Sequence, residues 1–93
     1  MNESKIRELA LNIGGAHHID LTPVLPIGKH GFHLEATEKI APRIKIVFCF
    51  QVNLPDWEQM HEAEVQFKIS KTFLVARKAA ISSIGSWCEK QHD

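Results

Sequence analysis

Apolar and polar positions alternate most clearly between Arg43 and Val52, where Ile44, Ile46, Phe48, Phe50 and Val52 fall on one face. The other face carries Arg43, Lys45, Val47, Cys49 and Gln51 and is apolar at its centre. That pattern predicts a strand that is either central in the sheet or covered on both sides, with Cys49 as a small buried hydrophobe. A strand is also predicted from Phe32 to Ile40, with Phe32, Leu34, Ala36, Glu38 and Ile40 opposite His33, Glu35 and Thr37. Pro42 ends it. The alternation resumes at Ala63, Val65, Phe67 and Ile69, and its parity extends to Phe73 and Val75. This predicts a third strand.

The flanking segments have a different period. Ile6, Leu9, Ala10 and Ile13 follow the spacing of one helical stripe, with Asn2 as cap and Gly14-Gly15 just past the end. His17 to Ile27 reads as an extended edge segment, because Pro23 and Pro26 remove backbone donors that a central strand needs. Gly28-Lys29-His30-Gly31 is the turn that closes it. At the other end, Phe73, Ala76, Ala80, Ile84 and Trp87 mark a second helical stripe. The switch from strand to helix falls between Ser70 and Ala76, with Ser70 or Thr72 as cap. The expected fold is α+β, one domain over residues 1–93. It is a small antiparallel three-strand meander plus an edge segment, with an N-terminal and a C-terminal helix packed on the sheet.

Composition narrows the function classes. At 93 residues the chain holds one core, and eleven Lys+Arg balance eleven Asp+Glu. A general nucleic-acid or anionic-membrane binder carries a basic excess, which is missing here. No apolar run spans a bilayer, and Met1-Asn2-Glu3-Ser4-Lys5 does not begin a secretory leader, so a cytoplasmic protein is expected. Two cysteines do not make a disulfide framework.

Six histidines invite a metal or catalytic reading, with His17-His18 before the edge segment and His30 and His33 around its turn. No HExxH, CxxC, nucleophile elbow or phosphate-binding glycine loop accompanies them. The expectation is therefore a non-enzymatic chain with no cofactor and no metal. A small enzyme built around His33 ranks last among the alternatives.

Charge is placed unevenly. Asp56, Glu58, Glu62 and Glu64 cluster, and Lys68, Lys71, Arg77 and Lys78 follow with no carboxylate from Val65 through Cys88. Trp57 sits within the acidic cluster, in a polar connector where an exposed aromatic would serve as a binding anchor. Trp57, Asp56, Glu58, Glu62 and Glu64 are thus the candidate partner-binding residues. Lys68, Lys71, Arg77 and Lys78 are candidate anion or nucleic-acid contacts, a weaker signal without interleaved aromatics.

The run Ala63-Glu64-Val65-Gln66-Phe67-Lys68-Ile69-Ser70-Lys71-Thr72-Phe73-Leu74-Val75, with the strands before it from Gly31, resembles the strand meander of the bacterial export chaperone SecB. The resemblance covers about half of the chain and implies a cytoplasmic oligomer that holds other polypeptides in apolar grooves. It carries no particular binding residue across. This chain departs from it by opening on a helix and by its short length.

The expected function is a protein-binding module: an adaptor, a small chaperone-like holder, or an inhibitor of another protein of the immunity or anti-defence kind. Another protein and a second copy of the chain are the expected partners, because the sheet has two edges and a partly apolar second face. A nucleic-acid-associated protein using the basic residues is the rival reading.

Overall fold

The computed structural model describes the backbone of residues 1–92 and the side chains of residues 1–84 except Leu25. Its elements run α1 (Glu3–His17), β1 (Asp20–Gly28), β2 (Gly31–Ala41), β3 (Ile44–Asn53), a single 3-10 turn (Trp57–Gln59) and α2 (Glu62–His92). The class is α+β, and the sheet is an antiparallel meander in the order β1-β2-β3. Both helices pack on one face of it.

α1 forms where the apolar stripe predicts. Ile6, Leu9, Ala10 and Ile13 are buried, and the Asn2 side chain accepts the Lys5 backbone N–H at 3.0 Å. The helix runs past Gly14-Gly15 and stops at His18, which adopts the left-handed conformation that frees the chain from the helix. A two-residue turn, Lys29-His30, then joins β1 to β2. Gly31, at φ 145°, takes a backbone conformation that side chains disfavour, and a Cβ there would strike the Val52 carbonyl.

The meander is composed differently from the expectation. The proline-bearing segment is itself a strand, β1, at the edge of the sheet, and its register with β2 breaks between Val24 and Gly28, the stretch that holds Pro26. Residues 63–75, expected as the third strand, are helical, so no strand-to-helix switch occurs between Ser70 and Ala76. α2 already begins at Glu62. His61 starts it in place of Ser70 or Thr72, its Nδ1 accepting the Ala63 N–H at 3.1 Å. β2 is therefore the central strand and β3 an edge.

The core lies between the sheet and the helices. Leu21, Phe32, Leu34, Ala36, Phe50 and Val52 supply the sheet side, and Val65, Ile69 and Phe73 supply α2. The Phe73 ring stacks on half-buried Phe48 with centroids 6.2 Å apart. Toward the other end of β3, Ile46 is half-buried and Ile44 exposed, so the apolar face of this strand is only partly covered. Among the described residues, no layer covers the second face of the sheet. Val47 is 61% exposed there and Cys49 is exposed too, which corrects the expectation of a buried thiol.

Candidate functional site

The two charged clusters meet on α2, where Glu64 and Lys68 line one groove. Trp57 is not an exposed anchor: it is 3% exposed, its indole N–H donates to the Gly28 carbonyl at 2.9 Å, and Phe32 meets its ring edge-on. A buried Trp needs one hydrogen-bond partner, and the β1–β2 turn provides it. The acidic residues around it have different surroundings, although Asp56 and Glu58 line one shallow recess. Glu62 pairs with Lys5 of α1 at 3.1 Å, raising the Lys5 ammonium above the usual lysine range. Asp56 and Glu58 stand exposed on the connector, and Glu64 lies at the start of α2. The expected partner-binding set does not form one surface centred on Trp57.

The basic residues divide too. Arg77 is committed to Glu38 of β2, donating from Nε to Oε2 at 2.9 Å and from Nη2 to Oε1 at 2.6 Å. Lys68, Lys71 and Lys78 remain exposed along α2. They stand beside three exposed large apolar side chains, Phe67 at 68%, Val75 at 66% and Leu74, the first two being the most exposed of this kind among the described residues. Helical periodicity explains the arrangement: Val65, Ile69 and Phe73 recur every four residues toward the core, and Phe67, Leu74 and Val75 point away from it.

At its N-terminal end this outer face opens into a groove of about 500 Å³. Leu54 and Met60 line it from the connector, and Ala63, Glu64, Phe67 and Lys68 line it from α2. No single residue marked this face in the sequence. The signal that would have found it was the pair of apolar stripes interleaved on one long helix.

Among the described residues, the histidines gather into no metal-binding group. His33 and Cys49 share the open face of the sheet, where the register sets His33 opposite Gln51 and Glu35 opposite Cys49. Among the described residues, no group of three His, Cys, Asp or Glu side chains is placed to hold a metal ion. Among the same residues, no helix is long and apolar enough to cross a membrane. Trp87 and Cys88 lie outside the described side chains.

The fold and this surface together define a small α+β domain that presents one unpartnered helix face and one uncovered sheet face. Comparison with protein-family models, with curated proteins and with solved structures finds no match to this chain.

Proposed function

We propose that the chain is a non-enzymatic protein-binding module whose working surface is the outer face of α2. The observation that carries this reading is the exposure of Phe67, Leu74 and Val75 on the side of the helix opposite its buried stripe. Keeping three large apolar side chains in water forgoes roughly 25 cal/mol for each Å² that burial would remove, and a contiguous patch of this kind marks an interaction site. The same reading assigns the open sheet face, with Val47 and Cys49, to a second copy of the chain. Adaptor, chaperone-like holder and inhibitor are the three roles such a module fills, and all of them use the same surface.

The test is capture in the native host with the full chain as bait, followed by identification and purification of the retained protein. The wild type retains a stoichiometric partner, and the Phe67→Ser/Leu74→Ser variant loses it while keeping its circular dichroism and melting transition. Equal retention by both proteins contradicts the reading. Recovery of nucleic acid that salt releases, and that Lys71→Glu/Lys78→Glu abolishes, would favour the rival nucleic-acid reading instead.

A further inference from the structure

The outer face of α2 offers charge as well as apolar area. From Phe67, spacings of four, seven, eight and eleven residues place Lys71, Leu74, Val75 and Lys78 in one stripe, with Lys68 on its flank. All three lysines are exposed, and no ion pair holds any of them among the described residues. No carboxylate occurs between Val65 and Ile84, and Glu64, four residues before Lys68, lines the same groove as that lysine, so Lys71 and Lys78 are the two with no carboxylate beside them on the helix. Arg77 differs, because Glu38 already satisfies it. The stripe is apolar and carries uncompensated positive charge.

We propose that this stripe receives an acidic amphipathic segment of a partner protein. Its carboxylates lie over Lys71 and Lys78, and one large apolar side chain enters the groove beside Phe67, Leu54 and Met60, which Glu64 and Lys68 also line. The proposal rests on the reading of α2 as the binding face and adds the chemistry of the occupant. Opposite charge steers such a segment into register, and the apolar anchor, by covering the exposed Phe67 ring in this open groove, supplies most of the affinity. A second copy laid parallel along α2 is disfavoured, since it brings its own lysines against these; an antiparallel copy would set Glu62 and Glu64 toward them, and a wild type that is monomeric by light scattering rules it out. An anionic bilayer matches the charge but presents a flat surface that leaves the groove unfilled.

A displayed library of random peptides of about 16 residues, four to five helical turns, is panned on the intact protein. The selected peptides carry Asp or Glu interleaved with Leu, Phe or Trp at helical spacing. Their affinity falls about tenfold or more with Lys71→Glu/Lys78→Glu and with Phe67→Ser, the scale of a lost hot-spot contact. Acidic peptides that bind the double-lysine variant unchanged overturn the proposal. Neutral or basic peptides that bind only when Phe67 is intact overturn the acidic occupant and leave the binding face standing. Peptides indifferent to Phe67→Ser overturn both. Vesicles of phosphatidylcholine and phosphatidylserine serve as the counter-probe: lysine-dependent vesicle binding with no selected peptide assigns the face to lipid and overturns the proposal.

Discussion

Glu38 on the central strand and Arg77 on α2, 39 residues apart in sequence, are joined by two parallel N–H···O bonds. This fork fixes how far along the sheet the helix sits, and the carboxylate raises the Arg77 guanidinium above its ordinary range. The two ends of the pair are unequal. Glu38 is buried on the core side of β2, whereas the Arg77 side chain retains 38% of its exposure. Arg77→Ala therefore strands a buried carboxylate and costs about 2–3 kcal/mol, while Glu38→Gln leaves a cation that water can reach and costs about 1 kcal/mol. Urea unfolding of the two variants measures the difference, and the reverse order would contradict the geometry.

Trp57 behaves as core. Trp57→Ala removes a fully packed indole and costs about 3–5 kcal/mol, and Trp57→Phe, which gives up chiefly the bond to Gly28, costs about 1–2 kcal/mol. Thermal melts read both. A Trp57→Ala variant as stable as the parent would return the indole to the surface.

Gly14 and Gly15 are neighbours in α1 with opposite tolerance. A methyl at Gly14 meets the Ile19 carbonyl and the Leu21 side chain, and one at Gly15 meets nothing. Gly15→Ala stabilises by roughly 0.5–1 kcal/mol through helix propensity, and Gly14→Ala destabilises by about 1–3 kcal/mol through overpacking. Equal effects at the two positions would place the α1–β1 junction differently.

The uncovered sheet face predicts self-association. Light scattering at micromolar concentration gives a mass above that of a single chain, and Val47→Glu, which sets a charge at the centre of that face, returns the single-chain mass. A wild type that is already monomeric removes the second copy from the account.

How much of this was readable beforehand depends on which interactions are local. The stripe Ile6, Leu9, Ala10, Ile13 stands alone in its segment, so α1 declared itself, and the prolines of β1 kept that strand at an edge. Residues 63–75 misled because α2 is apolar on two sides. The inward set Val65, Ile69, Phe73 and the outward set Phe67, Val75 interleave at every second position, and a helix with two apolar stripes then imitates a strand. Cys49 was illegible because Val47 and Cys49 make the centre of its face apolar, and whether another layer covers that face is not written in the strand itself. Trp57 was illegible for a different reason. Its neighbours in sequence are polar, and the carbonyl that satisfies its indole belongs to Gly28, 29 residues earlier.

Covalent footprinting of the protein with and without its captured partner tests the central claim most directly, because it reads the outer face of α2 and the open sheet face in one measurement. Labelling of Phe67, Leu74 and Val75 should fall several-fold in the complex, while Val47 and Cys49 keep the labelling they show in the free protein. Protection of Val47 and Cys49 with unchanged labelling at Phe67 and Leu74 would contradict the account and move the working surface to the sheet.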